Sequence, residues 1–264
     1  MVNSSGQSPF VSEAVLLGQV AFGESDWIVT LYTRTHGKLT ALARTARRSR
    51  KRFGAALALL VLGEATLRER RHGEIAILER FDAVRDFSGL SADVVRMAHA
   101  SYATELLREL TVPRNPDPVL LELLVEAYET FSKREPHSGT LRAYELKILA
   151  CLGLSPVLDR CVKCGDRDPE RLDRPGTVLH PGIGGAACAA CVPGLGHGMR
   201  PLSAGTRKLL CGAGSVRHLE EAIDLPAATP DIHAQAREAL HALLSTHLQG
   251  PLKSLEFIRK LRGS

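Results

Sequence analysis

The sequence predicts an α+β chain of more than one domain: an N-terminal β-barrel, then an all-α domain carrying an inserted four-cysteine module. Three observations carry this. Five short strand-like segments, separated by turn residues and clearest in the β-branched and aromatic run 27–33, fill the first eighty or so positions. From residue 87 onward apolar residues recur at helical spacing in seven segments. Between the third and fourth of these lie two C-x-x-C pairs. A length of 264 residues suits about two domains. The expected boundaries are 10–86 for the barrel, 87–157 for the first part of the helical domain, 158–198 for the insert and 199–264 for its second part.

Residues 1–9 read as a polar tail, without the charged start and apolar core of a signal peptide. A strand is expected over 10–20, and a second over 27–33, after the turn at Gly23-Glu24-Ser25-Asp26. Thr35-His36-Gly37-Lys38 turns the chain into a third strand over 39–43. A fourth follows over 57–69, and His72-Gly73 leads to a fifth over 74–79. Five such strands suit a small closed barrel, either an oligonucleotide-binding (OB) fold or an SH3-like one; periodicity does not separate them. Helices are expected over 91–110, 119–131 and 140–152, with Gly153 placed to end the third. The Gly/Pro-rich stretch 161–191 interrupts them. Helices resume over 203–210, with Ser203 as N-cap, and over 216–223, 231–248 and 252–261.

Charge is concentrated in one place. Arg34, Lys38, Arg44, Arg47, Arg48, Arg50, Lys51 and Arg52 give eight basic residues between 34 and 52 with no Asp or Glu. The whole chain carries +5, so everything else nets −3. Such concentration fits a polyanionic partner, and a basic loop between two strands is how a small barrel presents charge to a phosphate backbone. A solvated surface loop is the other reading. Aromatic residues are only 5%, which limits base stacking to a few side chains, Trp27, Tyr32 and Phe53, each better suited to core packing.

Cys161, Cys164, Cys188 and Cys191 form the two C-x-x-C pairs, 23 residues apart. Each pair can set two thiolates on one knuckle, with Gly165 allowing the tight turn. Two knuckles close a tetrahedral thiolate shell that prefers zinc and leaves no open position, so the metal is structural. Roughly 10–16 kcal/mol of metal binding can fold a module with little core of its own. A redox dithiol is the competing reading. His180 and His197 stand in reserve as ligands, while Cys151 follows a helical apolar pattern and Cys211 ends another helix, both read as structural.

No phosphate-loop, dinucleotide-binding, nucleophile-elbow or HExxH signature occurs, and Glu24 with Asp26 suits a turn better than an acid pair. No apolar run approaches the ~20 residues of a membrane span. The composition therefore points to a cytoplasmic, non-catalytic protein.

The stretch Gly23-Glu24-Ser25-Asp26-Trp27-Ile28-Val29-Thr30-Leu31-Tyr32-Thr33, with His36-Gly37-Lys38-Leu39, resembles the opening of the RecO recombination-mediator family. So does Ala43-Arg44-Thr45-Ala46-Arg47-Arg48 with Phe53-Gly54-Ala55-Ala56-Leu57. Ala100-Ser101-Tyr102 with Glu105-Leu106-Leu107, and Leu141-Arg142-Ala143-Tyr144-Glu145-Leu146 with Leu152-Gly153-Leu154, resemble the family's helical core. The 161–191 insert matches members that keep a zinc site, and Pro251-Leu252-Lys253-Ser254 the C-terminal helix. The resemblance spans nearly the whole chain.

The resemblance implies an N-terminal OB-fold, a helical C-terminal domain and an inserted zinc module. It implies a non-enzymatic protein that binds single- and double-stranded DNA and anneals complementary strands. Its implied partners are RecR, the C-terminal tail of single-strand DNA-binding protein (SSB) and, less directly, RecF and RecA, which it helps load onto SSB-coated DNA. It implies association with the nucleoid during repair. Arg142 matches the position that holds the SSB tail; an i,i+3 surface salt bridge to Glu145 is the alternative. Two other functions share parts of this pattern. An RNA-binding or transcription-associated OB/zinc-ribbon protein would share the basic loop and the cysteines. A metal-dependent nuclease would need an open carboxylate or histidine site, which the sequence does not supply.

Overall fold

In the computed structural model, which describes residues 8–53, 59–70, 73–226 and 228–262, five strands close a barrel. They are β1 (Phe10–Phe22), β2 (Asp26–Thr33), β3 (Gly37–Ala43), β4 (Val61–Arg68) and β5 (Ala76–Asp86), with the four-residue helix α1 (Arg50–Phe53) between β3 and β4. The order is β1-β2-β3-β5-β4, with β4 returning to β1. All pairings are antiparallel except β3 with β5, where Ala41 faces Ala76 and Leu42 faces Ile77. That order is OB-like and settles what periodicity left open. Residues 10–15 of β1 pair with β4, while residues 14–22 pair with β2 across a register shift at Leu16/Gly18.

Alternation places the core. On β3, Gly37, Leu39, Ala41 and Ala43 are buried while Lys38, Thr40 and Leu42 are not. Leu16, Val29, Leu31, Leu39, Leu67, Leu78 and Phe81 fill the barrel, joined by Phe53 from α1. β5 runs seven residues beyond the expected end at 79, because its charged half, Arg80 to Asp86, still pairs with β4 and, apart from the buried Phe81, turns towards solvent. β4 begins at Val61 rather than 57; Leu57 lies outside the described residues.

The described chain divides into two compact units. The first runs up to Lys133 and takes in residues from Ser254; it holds the barrel with α2 (Val94–Leu110) and α3 (Pro118–Lys133). Local chemistry starts both helices: Asp93 accepts from the Val95 amide, and Asp117 accepts from the Val119 amide ahead of Pro118 at the first helical position. The Tyr32 hydroxyl reaches the Asp117 carbonyl at 3.3 Å. Glu105 of α2 accepts from the Ser254 amide at 2.8 Å, in the first turn of the C-terminal helix.

The second unit, Arg134–Lys253, holds α4 (Ser138–Cys151), α5 (Pro169–Leu172), β6 (Val178–His180), β7 (Gly185–Ala187), β8 (Arg200–Pro201), α6 (Ala204–Ser215) and α7 (Pro230–Ser245). Helix α8 (Lys253–Arg262) closes the described chain. Gly153, at φ +73°, ends α4, and the Leu154 amide donates back to the Leu149 carbonyl at 2.7 Å. Ser203 caps α6 by accepting from the Thr206 amide. The helix expected over 216–223 shrinks to a single 3-10 turn, Leu219–Ile223. Val216 is extended where α6 ends, and the Glu221 carboxylate holds the Arg217 amide. Among the described residues, no helix is long and apolar enough to cross a membrane.

Candidate nucleic-acid interface and metal centre

The turn after β3 carries the basic cluster, and it is built rather than loose. Thr45 sits at φ +52°, and its amide donates to Asp26 Oδ1 at 2.7 Å. The Arg47 amide donates to the Ser25 carbonyl at 3.1 Å and its guanidinium to the Glu24 carbonyl at 3.3 Å. The β1–β2 turn therefore props up the basic turn. At its far end Phe53 is inserted into the barrel core, 1% exposed; that burial contributes about 1.5–3 kcal/mol and pins the segment at both ends.

Within this frame the basic residues divide by role. Arg44, Arg47 and Arg48 are exposed. Arg47 lies over the Trp27 ring at 5.8 Å, and Trp27 is half-buried against the barrel core. Arg52 turns inward: it donates to the Arg44 carbonyl at 2.7 Å, to the Thr45 hydroxyl and to Ser49 Oγ, so it braces the turn. The backbone of Arg50 and Lys51 belongs to α1; their side chains lie outside the described set.

Arg34 and Lys38 sit apart from this group, in contacts that charge counting could not reveal. Arg34 pairs with Glu13 and with Glu122 of α3, each at 2.7 Å. The Lys38 ammonium is half-buried against the end of α2, donating to the carbonyls of Arg108, at 2.6 Å, and Thr111. It caps that helix, where a cation opposes the dipole, and burial presses it below the ordinary lysine range. Tyr32 is fully buried and so, with Phe53, belongs to the core.

In the second unit the four cysteines come together. The sulfur atoms of Cys161, Cys164, Cys188 and Cys191 lie within 4.8 Å of one another, and these four could hold a metal ion. Sulfurs on a tetrahedron with bonds of about 2.3 Å would lie roughly 3.8 Å apart, so the cluster fits. The knuckle at Cys161 is closed by the Gly165 amide donating to the Cys161 carbonyl at 2.9 Å, with Gly165 at φ +75°. The second knuckle is closed by the Cys191 amide to the Cys188 carbonyl at 2.8 Å. Burial opposes a thiolate at Cys161, but the backbone amides of Cys164, Cys188 and Lys163 outweigh it and bring the thiol down to about 6. Cys191 is pushed up to about 12, first by its hydrogen bond with Cys188 and then by burial.

The small sheet β7-β6-β8 backs the knuckles, and Val162 and Val157 bond to Ala186 across it. His180 Nε2 donates to the Leu195 carbonyl at 2.9 Å, and His197 is exposed; neither is in the sulfur cluster. Cys151 and Cys211 are half-buried on α4 and α6.

Arg142 is 5% exposed at the side chain and pairs with Glu145, itself 2% exposed, at 2.5 Å. The i,i+3 pair that spacing suggested is made, but in the interior rather than on the surface. Helix α4 buries an unbroken run from Gly139 to Leu146, so it has no solvent face at that point.

The comparisons with known proteins agree with this architecture. Residues 8–87 match the family described as Recombination protein O N terminal, and residues 91–256 match Recombination protein O C terminal. The chain is 40% identical over 250 residues to the DNA repair protein RecO of Anaeromyxobacter sp. (strain K), covering 94% of both chains. It is 36% identical over 249 residues to that of Myxococcus xanthus, covering 94% of this chain and 96% of the relative. It is 34% identical over 260 residues to that of Geobacter sulfurreducens, covering 96% and 98%. With an OB-like barrel, a helical domain carrying a four-cysteine cluster, and the two family models matched over residues 8–87 and 91–256, the chain belongs to the RecO family of DNA repair proteins.

Proposed function

We propose that this protein is a non-catalytic recombination mediator that grips DNA through the turn at residues 44–53. The carrying observation is that Arg44, Arg47 and Arg48 stand exposed on a turn fixed by Asp26 and Phe53. Contacts to phosphate rather than to bases make such a grip indifferent to sequence. Annealing requires two polyanions to approach, and a fixed cationic turn lowers their repulsion. Arg50 and Lys51 extend this set, Arg52 keeps its shape, and Arg34 and Lys38 hold barrel and helices in register beside it.

We read the metal as structural zinc. Bound there, it would neutralise the thiolates and lock two knuckles whose surroundings offer only a small core; the four cysteines would hold it and no position would remain for a substrate. RecR and the SSB tail are the partners this reading adds, with RecF and RecA linked through them. Arg142 can serve the tail only if its guanidinium is shared with, or released from, Glu145. The reading is tested by annealing of complementary SSB-coated strands. Acceleration that depends on Arg44, Arg47 and Arg48 supports it; annealing of bare strands alone, with no effect on coated ones, argues for a general nucleic-acid binder.

A further inference from the structure

The chain has a single tryptophan, Trp27, and the function proposed above gives it no part. It lies near the start of β2, at the end of the barrel where the basic turn begins. Its directly opposed neighbours are Ala21 on β1 and Ala43 on β3. Opposed residues share a face of the sheet, so only methyl groups flank the indole across both strands. The ring packs against the barrel core yet stays half-exposed. A large ring left partly in water forfeits some of the stabilisation that full burial would bring.

What covers the ring is Arg47, whose guanidinium lies 5.8 Å from its centre. Such a contact is weak at an exposed site. Among the described residues the guanidinium has one other partner, the Glu24 carbonyl at 3.3 Å, which is long for a hydrogen bond. The side chain can therefore leave the ring at little cost, while its backbone stays fixed by the Ser25 carbonyl. The other aromatic residues of the barrel do not offer this. Phe53 also lies under an arginine, Arg52 at 5.1 Å, but is 1% exposed and has no open face. Phe10 is stacked on His36 at 4.0 Å. Phe22 is opposed to Asp26, so it turns to the sheet face opposite that of Ala21 and Trp27.

We propose that Trp27 is a stacking platform for one unpaired nucleobase of a single strand held by the basic turn, with Arg47 as its removable cover. The base takes the place of the guanidinium on the indole, and Arg47 passes to a phosphate beside Arg44 and Arg48. A weak carbonyl bond is thereby exchanged for a charge-assisted one. Stacking accepts any base, because every base has a π-face. A paired base is enclosed in its duplex and does not reach the ring, so duplex is held through phosphates alone. The proposal rests on the basic turn being the DNA grip and adds what that grip recognises besides phosphate.

The test uses the full-length, metal-loaded protein, a dT oligonucleotide and an abasic oligonucleotide of equal length, which keeps the phosphates and lacks the bases. The dT strand should bind roughly tenfold more tightly than the abasic one, with similar salt slopes. It should quench the fluorescence of Trp27, whereas the abasic strand and a blunt duplex should bind without quenching. Trp27→Leu should bring the ratio of dT to abasic affinity to about one, and Trp27→Phe, which keeps a ring in the barrel, should retain part of it. Arg47→Ala should flatten the salt slope by about 0.7 while quenching and the preference for dT persist. Wild type that binds dT and abasic strands alike, quenching by duplex equal to that by dT, or a preference that survives in Trp27→Leu would overturn the proposal. In each of those cases the grip itself stands so long as replacing Arg44, Arg47 and Arg48 together weakens both strands. A triple variant that holds both strands as wild type does would overturn the grip, and the platform with it.

Discussion

Asp26 Oδ1 accepts the Thr45 amide at 2.7 Å, so the turn between β1 and β2 fixes the backbone of the basic turn after β3. Thr45 holds a positive φ that a non-glycine residue adopts at a cost, and the Asp26 bond offsets it. Asp26→Ala should therefore loosen residues 44–49, at a cost of about 1 kcal/mol in stability, and weaken oligonucleotide binding several-fold although it removes a negative charge. Asp26→Asn keeps an acceptor and should bind close to wild type. Tighter binding by Asp26→Ala would mean that charge alone, not the shape of the turn, sets affinity.

Arg142→Ala should destabilise the second unit by about 3–5 kcal/mol, because it strands the buried Glu145 carboxylate. Replacing both residues by leucine should recover most of that loss. The check is denaturant unfolding of the three variants. If Arg142→Ala unfolds like wild type and only binding of an SSB-tail peptide falls, Arg142 is a contact residue and the pair opens in solution.

Asp173 gives the second unit a pH dependence of known sign. Burial would raise its carboxyl, but Arg207 and Lys208 hold it below the ordinary value of 3.8. Its folded value is thus below its unfolded one, so its contribution is present above about pH 4 and is lost as pH falls through the folded value. Asp173→Asn should lower stability at neutral pH and flatten the acid limb of the stability profile. An acid limb of unchanged steepness would place the titrating group elsewhere.

Much of this architecture is legible in the sequence, and what is not has a common cause. The cysteine knuckles are local: C-x-x-C with Gly165 dictates the turn, and the spacing brings the sulfurs together. The strands and the basic turn are local as well. Lys38 and Arg34 are not, because their partners, Arg108, Thr111 and Glu122, lie 70–88 residues away and only the folded chain brings them near. The burial of Arg142 is not legible, because i,i+3 spacing says that two side chains meet, not on which side of a helix. On α4, where Leu141, Ala143, Tyr144 and Leu146 are all buried, no apolar stripe marks an outside. Asp26 reads as a turn residue in either case; its reach to Thr45 depends on the register of β2 against β3, in which Trp27 faces Ala43. The length of β5 was hidden because its outer half is charged.

Metal removal should act on one unit only. Cys161→Ser, or a strong chelator under reducing conditions, should release about one zinc per chain and expose residues 157–201 to proteolysis, while the barrel keeps binding oligonucleotides. Protein purified under reducing conditions without chelator that contains no zinc would contradict the structural role given to the cluster.

The most direct test of the basic turn as the DNA grip is a salt titration of fluorescent single-stranded oligonucleotide binding. If about four phosphates are neutralised at once, the slope of log affinity against log salt should be roughly −3, at about −0.7 per phosphate. Replacing Arg44, Arg47 and Arg48 together by alanine should flatten that slope by about two units. The loss should be alike for oligonucleotides of different base sequence, with zinc content and helical signal unchanged. Wild type and triple variant giving the same slope would contradict the account, and the DNA site would then have to lie elsewhere on the protein.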